Sequence, residues 1–254
     1  MRSIFEIFFN QTTLQQKKLI ISITIIFGLL SPGLIGLAVW FKEPFLQCQT
    51  SPDSPFFNCN QEIACSDQII SFSIDEDRSP DSLATKLSLV CDRKSFKRML
   101  ISAYFFGGVL GCIVNILIYV PAKKRKIAVS VLAMIHALAN LGMALLPSDI
   151  SVIAILLAAI SFTWIIIHSY CFMIMNENFQ GDLAKSVIMI MMIFWGFSGI
   201  VYSLFAYIVN ANYNILFLLI GVIGLVVGGY LMLYRPDKEP RALSKMVILL
   251  IIFY

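Results

Sequence analysis

Two histidines and a few large aromatic rings are the residues of this 254-residue chain best placed to do chemistry. Each lies inside a long apolar stretch. His136 and His168 are the only His, Asp, Glu, Lys or Arg side chains in those stretches. An ionisable group at membrane depth marks a functional position by default; the structural alternative is a neutral imidazole bonded to a main-chain carbonyl. Trp164, Trp195 and Tyr202 offer ring faces, which attract organic cations by about 0.5–2 kcal/mol each or simply pack. Tyr202 follows Trp195 by seven residues, two helical turns, and so shares its face. Ser31-Pro32-Gly33 interrupts the first apolar stretch near its centre. Proline removes a helical hydrogen bond and kinks the chain. Such a break either lines a cavity or is a static kink satisfied by neighbouring helices.

The elements that must position these groups are membrane helices. Hydrophobic residues make up 59% of the chain and charged residues 13%, with a mean hydropathy of +0.84. The charged share is about half the ~25% of globular domains. A disordered chain, a nucleic-acid arm and an ordinary soluble enzyme are excluded. Six windows of about 20 apolar residues predict an all-α polytopic membrane protein: 19–41, 99–120, 127–146, 151–175, 186–209 and 215–234. None contains Asp, Glu, Lys or Arg. A barrel would alternate over ~10 residues instead. The first window is too long for a signal-peptide core and has no cleavage site after it. Basic residues sort to one side, which places both termini in the cytosol: Lys123, Lys124, Arg125 and Lys126 after the second window, Lys185 after the fourth, and Arg235, Lys238, Arg241 and Lys245 after the sixth. The net charge of +4 is thus a topology signal, and no nucleic-acid partner is needed to explain it. Residues 1–18 and 235–254 are read as the cytosolic N-terminus and tail; the tail ends in nine apolar residues, Met246–Tyr254, too few to cross a bilayer. Trp40 and Tyr234, at window ends, are expected as interfacial anchors. Glu177, Asp182 and Lys185 are expected in a solvated cytosolic loop.

Residues 42–98 form one polar external loop with Cys48, Cys59, Cys65 and Cys91. On an oxidising face four cysteines predict two disulfides, with three connectivities open. Zinc would call for Cys-x-x-Cys or His nearby, and neither occurs there. The sole Asn-x-Ser/Thr sequon, Asn10-Gln11-Thr12, falls on the cytosolic side. Cys112 and Cys171 read as packing residues. Gly107-x-x-x-Gly111 and Gly224-x-x-x-Gly228 allow close helix contact, within the chain or between copies. No Walker loop, His-Glu-x-x-His or Gly-x-Ser-x-Gly occurs, so no enzyme, cofactor or metal is expected.

Two local stretches carry a family resemblance. Leu89-Val90-Cys91-Asp92-Arg93-Lys94 precedes the second window, and Glu239-Pro240-Arg241-Ala242-Leu243-Ser244-Lys245 follows the sixth. With one helix, a Cys-bearing external loop and five closely spaced helices, the layout resembles the N-terminal six-helix half of the organic cation/anion transporters of the major facilitator superfamily. The sequence departs from the family before Leu89, where Lys86, Leu87 and Ser88 stand in place of an acidic residue, Trp and Asp. It departs again at residues 115–124, where only the basic end of the superfamily's Gly-x-x-x-Asp-Arg-x-Gly-Arg-Lys loop survives. The superfamily's intramembrane Arg of the fourth helix is also missing.

The resemblance implies transmembrane transport of small organic ions at the plasma membrane rather than an internal one. It implies a truncated or half-length member working with a second half-transporter or as a homodimer. It makes His136, Trp164, Trp195, Tyr202 and Pro32 the substrate-binding candidates, because the site of such transporters lies near the bilayer midplane. The alternative is a non-transporting membrane scaffold or subunit derived from a transporter. The absence of intramembrane carboxylates argues for facilitated diffusion, coupling groups elsewhere, or no transport.

Overall fold

A computed structural model describes residues 12–30, 33–145 and 149–233. Pro32, Tyr234, residues 1–11 and the tail 235–254 lie outside the described residues, and with them the segment Glu239–Lys245. The chain is a helical, multi-pass membrane protein. Five helices are long and apolar enough to cross a membrane. They are α5 (Lys94–Leu117, preceded by a 3-10 turn at Cys91–Arg93), α6 (Ala122–Ala144), α7 (Ile150–Asn178), α8 (Gly181–Ile208) and α9 (Tyr213–Leu233). Each of the five helices starts one to five residues before its window, and α7 also ends beyond it, at Asn178, whereas α5 and α6 stop short of theirs. A window ends where charge begins, whereas backbone bonding continues into the polar interface.

The sixth expected span differs. Where one helix was expected over 19–41 there are two: α1 (Leu14–Leu29) and α2 (Gly33–Trp40). Thr13 starts α1 with a capping box, its hydroxyl accepting from the Gln16 N–H while Gln16 accepts from the Thr13 N–H. The helix ends at Leu30, just before Ser31-Pro32. Proline disfavours helical backbone in the residue before it and has no N–H for the carbonyl four residues back. Neither piece alone is long enough to span.

The basic quartet differs too. Lys123, Lys124, Arg125 and Lys126 lie in the first turns of α6, not in a loop. Arg125 is buried, donates from Nε to the Val120 carbonyl at 2.9 Å and forms an ion pair with Glu177. Glu177 therefore ends α7 as a partner of α6, a correction to the solvated loop expected there. Asp182 and Lys185 do lie in the exposed first turn of α8, paired with each other at 3.2 Å.

The external segment is not all-helical. Three antiparallel strands, β1 (Leu46–Gln49), β2 (Phe57–Cys59) and β3 (Ser71–Ile74), form a sheet in the order β2-β1-β3. Short helices α3 (Gln61–Ala64) and α4 (Leu83–Lys86) flank it. The expected disulfides form as Cys48–Cys59 and Cys65–Cys91. Pairing of Leu46 with Cys59 and of Cys48 with Phe57 brings the first pair together across neighbouring strands. This small domain is seated on the bundle. Leu83, Ala84 and Leu89 join Leu100, Met143, Ile153 and Phe217 in one buried cluster. Asp81 exchanges main-chain bonds with Asn210 and Tyr213 in the α8–α9 turn.

Within the bundle α9 packs on α6, α5 on α7, α6 on α7, and α1 on α8 and α9. Glycine sets two of these approaches. A Cβ at Gly107 would stand 2.1 Å from the Ala158 carbonyl oxygen, and one at Gly111 2.7 Å from that of Phe162. Gly224 and Gly228 face Ala137 and Ala133 of α6. Both glycine motifs thus serve contacts inside the chain. Gly107→Ala is expected to cost about 1–3 kcal/mol through overpacking, read as a lower melting temperature in detergent. Gly196→Ala, where nothing lies within 4 Å, should leave it unchanged.

Candidate functional site

The site is the end of α1 and the side chains gathered around it. In hydrocarbon every main-chain polar group needs a protein partner. The Gly28 carbonyl is four residues before Pro32 and so has no helical donor. The Ser198 hydroxyl of α8 shares its one hydrogen between this carbonyl, at 3.0 Å, and the Trp195 carbonyl of its own helix, at 2.8 Å. A hydroxyl one helical turn beyond Phe194 can reach because Gly28 lacks a side chain: a Cβ there would meet the Phe194 ring at 2.5 Å. One residue earlier, the Phe27 ring stacks on the His168 imidazole with centroids 4.0 Å apart.

His168 is held from both sides. Trp164 Nε1 donates to His168 Nε2 at 2.9 Å, and the Phe27 carbonyl lies 3.1 Å from the same nitrogen. An indole N–H only donates and a carbonyl only accepts, so Nε2 serves one of them at a time: bare, it accepts from Trp164; protonated, it donates to the Phe27 carbonyl. Trp164 and His168, four residues apart on α7, thus form one face against Phe27.

His136 of α6 is 1% exposed. Its Nδ1 lies 3.2 Å from the Ile160 carbonyl and 3.0 Å from Thr163 Oγ1. The carbonyl accepts only, and the Thr163 hydroxyl gives its single hydrogen to α7 carbonyls at 2.8–3.0 Å. Nδ1 therefore carries the proton of the neutral ring, and Nε2 has no hydrogen-bond partner among the described residues. One turn on, Asn140 donates to the His136 carbonyl at 2.8 Å, and its buried Oδ1 also has no partner among the described residues. The Leu30 carbonyl, at the end of α1, lies beside the same imidazole. Helix ends of this polarity carry partial negative charge, and no basic residue occupies the last turn of α1. Among the described residues, this part of the bundle thus holds two buried acceptors without donors, His136 Nε2 and Asn140 Oδ1. It can receive N–H or O–H groups.

The sequence candidates divide accordingly. His136 and Trp164 lie at this centre. Tyr202 instead accepts from Trp40 Nε1 at 2.8 Å, tying α8 to α2. Trp40 is fully buried against Tyr104 and Phe217, a correction to its expected place as an interfacial anchor. Trp195 gives its carbonyl to Ser198 at 2.8 Å, while its ring is 38% exposed. Pro32 lies outside the described residues. Sequence reasoning missed Asn140, Thr163 and Ser198 and treated His168 as secondary. The available signal was spacing: Asn140 is four residues from His136 and Ser198 three from Trp195, each pair sharing a helix face.

No protein-family model matches this sequence, and no curated protein matches it. Ser198→Ala leaves the Gly28 carbonyl unsatisfied in a water-free setting, and is expected to cost about 1–3 kcal/mol in thermal unfolding. Ser203→Ala, which removes an exposed hydroxyl bonded within its own helix, should be nearly neutral.

Proposed function

We propose that the protein moves small organic ions across a membrane, in the manner of the organic cation/anion branch of the major facilitator superfamily, at the plasma membrane. The observation that supports this reading is a pair of buried acceptors, His136 Nε2 and Asn140 Oδ1, that have no partner among the described residues and lie near the end of α1. Buried polar atoms are nearly always bonded, and an unsatisfied one costs about 1–3 kcal/mol. A static scaffold has no use for two of them on one face. A carrier does, because a passing ligand supplies the donors. Discontinuous helices that line midplane sites are a recurring transporter device.

Helix pairing supports the same reading. Counted as one interrupted span, α1–α2 would run from Leu14 to Trp40, about 40 Å at 1.5 Å per residue. With that as the first of six, the main packed pairs are second with fourth, first with fifth, third with fourth, first with sixth, and third with sixth. Exchanging the first three spans for the last three maps this set onto itself, as an inverted 3+3 repeat requires. In this reading the bundle works against a second six-helix unit, either another half or another copy.

One observation favours the scaffold alternative. Trp164 and Tyr202 spend their polar groups on partners within the chain. Uptake into proteoliposomes separates the two. Transport predicts saturable uptake of an organic cation above empty liposomes, reduced about tenfold or more by His136→Leu, which removes the acceptor and more than ~1.4 kcal/mol of ligand stabilisation. Uptake no greater than in empty liposomes, by folded protein tested with both cations and anions, would leave the scaffold reading.

A further inference from the structure

Near the end of α1, the buried polar atoms left without a partner among the described residues are acceptors. His136 Nε2 and Asn140 Oδ1 are buried one helical turn apart on one face of α6. The Leu30 carbonyl lies beside the His136 imidazole. The Asn140 amide is fixed in orientation. Its N–H donates to the His136 carbonyl at 2.8 Å, and a flip would set oxygen against oxygen. Neighbouring donors are already engaged. The Thr163 hydroxyl gives its hydrogen to α7 carbonyls, the Ser198 hydroxyl faces the Gly28 and Trp195 carbonyls, and Trp164 Nε1 faces His168.

Charge and hydrogen count then narrow the ligand. The apolar stretch 127–146 that holds His136 and Asn140 contains no Asp, Glu, Lys or Arg, and neither does 151–175 on α7. An anion brought to this point would meet lone pairs. A cation would meet neutral oxygen and nitrogen dipoles, as an ion does in a filter of main-chain carbonyls, together with the negative end of the α1 dipole. Acceptors reward only a head that carries hydrogens. A quaternary nitrogen has none to give and would leave both acceptors unsatisfied. A primary ammonium has three, enough for His136 Nε2, Asn140 Oδ1 and the Leu30 carbonyl. A buried site built to hydrogen-bond its ligand rejects the analogue that lacks the donor.

We infer that this site selects organic cations whose charged head carries N–H groups, primary ammonium above all, and discriminates against quaternary ammonium. His136 Nε2 and Asn140 Oδ1 are the atoms that set the preference. The inference rests on the transport reading in one respect: both atoms are buried, so a ligand reaches them only when the helices part.

A methylation series tests it, by calorimetry on the intact protein in neutral detergent. Benzylammonium, benzyldimethylammonium and benzyltrimethylammonium present successively fewer N–H groups on the same apolar body. Affinity should fall along the series, by about tenfold or more between its ends, the scale of one lost bond to a charged group. Ring faces alone would give the opposite order, because each methyl adds apolar surface. Benzenesulfonate should not bind. His136→Leu and Asn140→Leu should each shrink the ratio between the end members about threefold or more. That ratio is internal to each variant, so it separates lost selectivity from general weakening. Ser203→Ala should leave it unchanged. If neither leucine variant folds, the series on the native chain still decides. Equal or tighter binding of the trimethyl compound, binding of the anion, no binding of benzylammonium, or an unchanged ratio in both folded leucine variants overturns the proposal. Selective binding without uptake would count against the transport reading and leave this site standing. Uptake of the quaternary cation as readily as the primary one would overturn the proposal and leave the transport reading standing.

Discussion

A helix that breaks inside a bilayer leaves main-chain carbonyls with no water to bond them. In this protein the break falls after Leu30, and the surrounding bundle is arranged to meet that demand. Ser198 of α8 bonds the Gly28 carbonyl, His168 of α7 stacks on Phe27, and His136 of α6 stands beside the Leu30 main chain. Three helices thus send polar or aromatic groups to one point. Near the same point His136 Nε2 and Asn140 Oδ1 have no donors among the described residues. The constraint that shapes the fold at this point also creates its candidate binding chemistry.

The two ends of the bundle are fastened by other means. At the end that carries the disulfide-linked segment, Leu83 and Leu89 are buried with Trp40 and Phe217, and Asp81 is bonded into the α8–α9 turn. The disulfide-linked sheet is therefore a cap fixed to the helices, not a free appendage. At the opposite end, Arg125 and Glu177 join α6 to α7. Between these ends the tight contacts are steric. Gly107 and Gly111 let α5 lie on the α7 backbone, and Gly224 and Gly228 let α9 lie on α6.

Much of this was legible in the sequence because the bilayer enforces simple rules. Windows of uncharged residues located the five long helices, and the proline at 32 marked the site of the break. Four external cysteines signalled two disulfides, but their pairing needed the strand register that sets Cys48 beside Cys59. Helix ends were misjudged because charge marks the membrane boundary and not the end of backbone bonding, so Lys123–Lys126 became helix and Glu177 became an ion-pair partner. The sheet was hidden in short strands with little alternation. Trp40 was misplaced because position along a window cannot reveal what covers a ring from another helix. For the same reason the polar ring of the site was only half visible: His136 and Trp164 are conspicuous types in an apolar stretch, whereas Ser198 and Thr163 are ordinary membrane residues until a partner carbonyl is found.

The central claim is that Ser198 answers the donor missing at Pro32. A double-mutant cycle on thermal stability tests it directly, with Pro32→Ala, Ser198→Ala and the pair. Alanine at 32 restores an N–H to the Gly28 carbonyl, so Ser198→Ala should be costly in the native background and nearly neutral with Ala at 32. The account predicts a coupling of about 1 kcal/mol or more. Additive effects of the two substitutions would contradict it.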